Sequence, residues 1–303
     1  MDIPKGGIAF FDSGIGGLTV LEECRKRLPN ELFYYYGDNT YAPYGNRSEK
    51  EIIKRVKKAM RVFARLKVKA VVLACNTVTA VCIDALREKY SFPIIGTEPA
   101  VQLGARIGGE VFVLVTQATY QSQRFQRLCK AAAEKYPQAN LRAFACTQLA
   151  GVIEKNITTE NFEYGDYLPN GRPNVVVLGC THYVYIKSQI SSKYACVTVD
   201  GNEGVARRLE TLLKNNKKSR ARTRKKPKKR FPRPFVTTTQ KKGVGVNKYL
   251  SKNDEKSSKN VVFENVLFLG KSKGFNEKMC KQMFVFIKNG QECVFGGQKS
   301  KKN

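Results

Sequence analysis

Val71-Val72-Leu73-Ala74-Cys75-Asn76-Thr77 and Val175-Val176-Val177-Leu178-Gly179-Cys180-Thr181-His182 decide the fold. Each is an unbroken apolar run closed by a cysteine and polar residues. A continuous Val/Leu run, as opposed to an alternating one, belongs to a strand covered on both faces, as in parallel sheets packed by helices. The two cysteines stand 105 positions apart, about the length of one small domain. Two similar α/β halves follow, each with a cysteine at the carboxyl end of a strand. In open α/β sheets ligands bind beyond those ends. Two halves face to face therefore set two thiols on opposite walls of one cleft.

Further apolar runs predict strands over Gly7–Phe11, Leu32–Tyr36, Lys69–Ala74, Pro93–Gly96, Glu110–Val115, Asn140–Ala145, Asn174–Gly179 and Ala195–Val199. Amphipathic stretches predict helices near 16–28, 48–66, 77–89, 98–107, 119–136, 147–155, 183–193 and 202–214. Strand–helix alternation gives an α/β fold. The expected architecture is two pseudo-symmetric doubly wound parallel-sheet domains facing a central cleft, plus a basic, largely disordered C-terminal tail. The expected boundaries are 1–97 (with 205–214 returning to that domain), 98–204 and 215–303.

Composition narrows the function. The 303 residues carry a formal net charge of +29, unevenly spread. Residues 215–303 hold 25 Lys/Arg and 5 Asp/Glu, against 29 and 20 in the first 214, so the basic character is mostly a property of the tail. No apolar run reaches the roughly 18 residues of a membrane span, and the N-terminus has no signal-peptide pattern. Nine dispersed cysteines without a C-x-x-C argue for reduced thiols in a cytoplasmic setting, not for a disulfide scaffold or a zinc site. The single histidine, His182, excludes His-rich metal centres. No metal is expected.

The strand-end thiols carry the chemistry. A thiol titrates nearer neutrality than most proton-transfer groups, and a helix N-terminus should lower its pKa further. Two thiols facing one carbon can remove a proton from one face and deliver another to the opposite face, which inverts a stereocentre. Buried cysteine is commonly just a small hydrophobe, and Cys24, Cys82, Cys129, Cys146 and Cys196 fit that description. Phe11-Asp12-Ser13-Gly14-Ile15-Gly16-Gly17 is a glycine-rich strand-to-helix turn suited to a carboxylate. It lacks the third glycine of a dinucleotide fingerprint and the Lys of a phosphate loop. Asp12 fits either a helix cap or a group acting on a substrate ammonium or a thiol. Tyr36-Gly37-Asp38 and Pro43-Tyr44-Gly45 are, alone, turn chemistry. A Cys180–His182 protease pairing would leave Cys75 unexplained.

Taken together, DSGIGG, YGD…PYG, ACNTVTA, GTEPA and GCTHY, in this order, closely resemble the glutamate racemases of the aspartate/glutamate racemase superfamily. The resemblance covers roughly residues 6–213. It implies that Cys75 and Cys180 are the acid/base thiols, with Asp12 assisting Cys75 and His182 assisting Cys180. It implies substrate contacts at Asp12, Ser13, Tyr44, Gly45, Asn76, Thr77, Thr119, Thr181 and His182, with Glu154 near the second half of the cleft. It further implies racemisation of glutamate without a cofactor, D-glutamate for peptidoglycan, and a homodimer. An aspartate racemase or related isomerase is the alternative within the superfamily.

The chain departs from the family in places. Val184-Tyr185 follows GCTHY where the family often has Pro-Leu, Thr147 stands where a Pro is common, and the 155–173 connection is short and rich in Pro, Gly and Asn. The tail has no recognised counterpart. It is expected to be a solvated extension; a nucleic-acid or anionic-surface arm, on a degenerate racemase body, is the alternative of another class.

Overall fold

A computed structural model describes residues 6–157, 159, 161–224, 262–263 and 266–268, with side chains described as far as Asn215. The element order is β1 (Ile8–Asp12), α1 (Leu18–Arg27), β2 (Phe33–Gly37), α2 (Glu49–Arg65), β3 (Ala70–Leu73), α3 (Asn76–Lys89), β4 (Ile94–Gly96), α4 (Val101–Ile107), β5 (Gly109–Val115), α5 (Gln117–Gln121), α6 (Gln123–Lys135), β6 (Ala139–Ala145), α7 (Leu149–Asn156), β7 (Val175–Leu178), α8 (Lys187–Tyr194), β8 (Val197–Val199), α9 (Asn202–Arg224), β9 (Val262–Phe263) and β10 (Val266–Phe268). The eight strands expected before residue 200 all form, within two residues of their expected ends.

Two parallel sheets result. The first runs β4-β3-β1-β2 and the second β8-β7-β5-β6. The order is the same once β5 to β8 are matched to β1 to β4, so the second lobe repeats the first. β1, β3, β5 and β7 are wholly buried or nearly so, as helices on both faces require.

Local chemistry explains the helices that frame the cleft. Ser48 caps α2 through a capping box with Glu51, and Ile52, Val56, Ala59, Met60 and Phe63 form its single buried stripe. The single helix expected over 119–136 is two, because Ser122 starts a new cap, accepting from the Phe125 amide at 3.2 Å. Residues 181–186 form a 3-10 turn before α8, not the start of an α-helix. One continuous buried cluster joins the lobes: Ile15, Leu18 and Leu21 of the first pack with Leu149, Ile153, Tyr183 and Ile186 of the second and with Val205 and Leu209 of α9.

The tail gives one correction. β10 pairs parallel with β2 (Val266 opposite Phe33, Phe268 opposite Tyr35), and β9 pairs antiparallel with β10. The apolar Val266-Leu267-Phe268 run satisfies the open backbone edge that β2 would otherwise present. The expected disorder of the rest of the tail lies outside the described residues. Among the described residues no helix is long and apolar enough to cross a membrane.

Candidate active site

Parallel strands deliver their carboxyl ends to one edge of each sheet, and every residue singled out above lies there or on the helix that follows. Asp12 ends β1, Cys75 is the residue before α3, Tyr44 and Gly45 lie between β2 and α2, Thr119 is on α5, and Cys180 follows β7. Asp12, Ser13, Tyr44, Cys75, Asn76, Thr77, Thr119, Cys180, Thr181 and His182 are all buried. Glu154, on α7, has a side chain 17% exposed.

In the first lobe Asp12 Oδ2 accepts from the Gly14 amide at 2.9 Å, and Asp12 Oδ1 accepts from the Thr181 hydroxyl of the second lobe at 3.3 Å. Burial lifts the Asp12 pKa to about 6, with His182 pulling it back down. Cys75 Sγ lies 3.8 Å from Ser13 Oγ. Its thiol contradicts the expectation from its place before a helix. Burial, then the charge of Asp12, pushes it up to about 12, and the amide of Val78 and the Ser13 hydroxyl only partly offset them. Desolvation of a thiolate here outweighs the helix terminus. Cys180 also contributes to the shift, so its sulfur lies within electrostatic reach of Cys75.

In the second lobe Cys180 Sγ lies 3.8 Å from His182 Nδ1, and His182 Nε2 makes a short contact with Glu154 Oε2. Burial opposes a charged imidazole, but Glu154 and the bond to Cys180 outweigh it and hold the His182 pKa well above the ordinary value. A charged His182 has both ring nitrogens as donors, one toward sulfur and one toward carboxylate.

The lobes meet closely over this cluster. A Cβ at Gly14 would sit 2.6 Å from a Glu154 carboxylate oxygen, and one at Gly16 would sit 2.4 Å from Thr181 Oγ1. Only glycine lets the β1–α1 turn approach α7 and the 181–186 turn this closely. Tyr35 and Tyr185 pin that turn by donating to the Gly14 and Ile15 carbonyls at 2.8 and 2.9 Å. A hydroxyl chain also crosses the gap: Thr77 Oγ1 to Thr116 Oγ1 at 2.9 Å, and Thr116 to Thr119 at 3.0 Å.

Some residues are not free to touch a ligand as placed. The Asn76 amide donates to the Thr97 carbonyl at 3.3 Å, and the Tyr44 hydroxyl donates to Asp38. Asp38 is in turn clamped by Arg55, whose Nη2 lies 3.0 Å from Oδ1. Sequence reasoning missed this Tyr44–Asp38–Arg55 brace, Thr116 and Tyr185. The signal available for Thr116 was its place at the end of β5, the counterpart of the strand end that carries Asp12. Cys146, set aside as packing, lies close enough to Cys180 to feel its charge. Burial first, then Cys180, pushes its thiol up to about 12. A groove of about 540 Å³ opens beside β4, lined by Arg87, Phe92, Arg124 and Arg208 among others, and includes none of the thiol cluster.

The family model for Asp/Glu/Hydantoin racemase matches residues 18–209. This chain belongs to that family. Membership makes it a racemase, an isomerase acting at a stereocentre. The chain is 36% identical over 237 residues to glutamate racemase of Clostridium botulinum (strain Kyoto / Type A2), covering 74% of this chain and 90% of that protein. It is 38% identical over 229 residues to glutamate racemase of Clostridium novyi, covering 72% and 87%. Escherichia coli glutamate racemase, solved with L-glutamate and the activator UDP-MurNAc-Ala, aligns with a TM-score of 0.63 at 30% identity, over 70% of this chain and 83% of that one. The enzyme from Francisella tularensis, solved with D-glutamate, aligns at 0.59 and 29% identity, over 71% and 83%. The family match falls on the two-sheet body.

Proposed function

We propose that this chain is a glutamate racemase that inverts Cα with two thiols and no cofactor. The observation that carries the reading is the pairing of Cys75 and Cys180, each placed after the third strand of its lobe and within electrostatic reach of the other.

In the direction that starts at Cys180, its thiolate takes the proton from Cα, and the C–H electron pair passes into the substrate, delocalised toward the α-carboxylate. Cys75 then delivers its proton to the opposite face and keeps the S–H pair as thiolate. The reverse reaction exchanges the roles. Two features support this assignment. A Cys75 thiol pushed up to about 12 is a resting proton donor. A charged His182, held by Glu154, points a ring N–H at the Cys180 sulfur. Asp12 takes the substrate ammonium and tunes Cys75. Ser13, Tyr44, Gly45, Asn76, Thr77, Thr119 and Thr181 orient the carboxylates through hydroxyl, amide and backbone dipoles. The Asn76 amide and the Tyr44 and Thr181 hydroxyls exchange partners to do so.

D-Glutamate made in this way would feed peptidoglycan synthesis in the cytoplasm, and the protein would work as a homodimer. The test is incubation with L-glutamate followed by circular dichroism, with exchange of the α-proton in D2O. Racemisation of aspartate but not glutamate would move the assignment within the family. Full activity in both Cys75→Ala and Cys180→Ala would end the two-thiol mechanism.

A further inference from the structure

The first half of α9 is fastened to the body. Val205, Ala206, Leu209 and Leu213 are buried. Glu203 pairs with Arg27 and Arg207, and Glu210 pairs with Arg27 and Lys214. Beyond Lys214 the sequence changes character. The backbone stays helical to Arg224, yet residues 214–224 (KNNKKSRARTR) carry six Lys/Arg and a single apolar residue, Ala221. Lys214/Lys218, Lys218/Arg222 and Arg220/Arg224 are like charges four residues apart, a spacing that works against a helix in isolation. Between Glu210 and Asp254 the sequence has sixteen Lys/Arg and no acidic residue.

We propose that the basic end of α9, from Lys214 to Arg224, binds nucleic acid through its phosphate backbone, without sequence preference. The match is one of charge spacing. Eleven helical residues span about 16 Å, and six positive charges over that length face duplex DNA with a phosphate charge about every 1.7 Å. A membrane surface is disfavoured, because an interfacial helix needs an apolar face and this stretch has only Ala221. Base stacking has no aromatic residue to use before Phe231, so affinity comes from counterion release and falls steeply with salt.

The test is fluorescence anisotropy of the full chain with a labelled duplex of about 24 base pairs, titrated from about 50 to 300 mM salt. Binding at low salt is expected, with a log–log slope of about −5. Replacing Lys217, Lys218, Arg220 and Arg222 together by Gln should make that slope shallower by about 3.6 and weaken binding at least ~10-fold at low salt. The melting temperature, and racemisation where present, should be unchanged, since none of the four lies in the thiol cluster. No binding at low salt overturns the proposal, and so does an unchanged slope in the variant. Capture by phosphatidylserine vesicles in preference to DNA overturns it in favour of a lipid surface. None of these readouts depends on the racemase assignment.

Discussion

The lobe that carries Cys75 surrounds its sulfur with a buried carboxyl, Asp12, and a hydroxyl, Ser13; the lobe that carries Cys180 supplies an imidazole, His182, backed by Glu154. The strand order is shared, so the difference lies in what the turns bring. β1 ends in an acid that raises its neighbour's thiol, whereas the 181–186 turn places a base that a second acid keeps charged. Duplicated scaffolding thus gives the two thiols different polar neighbours, the asymmetry that the proposed exchange between faces would use.

The largest expected effect breaks the pair. Cys75→Ala and Cys180→Ala should each lower racemisation by about 10²–10⁴-fold. Each variant should keep α-proton exchange with only one enantiomer of glutamate, read by NMR in D2O. Equal exchange from both enantiomers in either variant would mean that the two walls are not specialised. His182→Gln should weaken the Cys180 wall selectively, slowing the direction that begins there by ~10²-fold. A matching slowdown in both directions, measured by circular dichroism from each enantiomer, would count against that role.

Asp12 sharpens the contrast through pH. Its folded pKa, about 6, lies above the unfolded value of 3.8, so its contribution is present below about pH 4 and lost as pH rises through 6. The span corresponds to about 3 kcal/mol. Urea unfolding should show this loss in the parent protein, and Asp12→Asn should flatten it. A parallel pH dependence in the two proteins would mean that Asp12 titrates normally. Gly14→Ala should lower stability by about 1–3 kcal/mol through the clash with Glu154, read as a lowered Tm. Ser48→Ala is the smallest effect, ~1 kcal/mol from a lost cap far from both sulfurs, with kcat untouched.

Much of this was legible in the chain. Runs such as Val71-Val72-Leu73 and Val175-Val176-Val177-Leu178 admit few readings besides a strand buried on both faces, and their common endings exposed the duplication. Short polar switches were not legible. Ser122 splits a helix only because its hydroxyl finds the Phe125 amide, and the 181–186 turn tightens with no proline or glycine to mark it. The Tyr44–Asp38–Arg55 brace joins polar residues six and seventeen positions apart, where sequence has no periodicity to reveal contact. The direction of the Cys75 shift was missed for a related reason. A helix terminus is local and can be read from order, while the desolvation that overrides it belongs to the assembled lobes. α9 runs past Leu213 without the apolar stripe that the expected boundary at 214 relied on, and β10 finds its partner more than two hundred residues away.

Thr181–Asp12, Thr77–Thr116, Tyr185–Ile15 and Ala118–Gly45 all stitch one lobe to the other. On the proposed reaction, the substrate enters only after such stitches part, which couples entry to the opening of the lobes. Apparent affinity then falls in proportion to how seldom the empty molecule gapes. A variant that loosens one stitch should bind more readily while turning over less well, if the proposed carbanion relies on the same closure to keep water out.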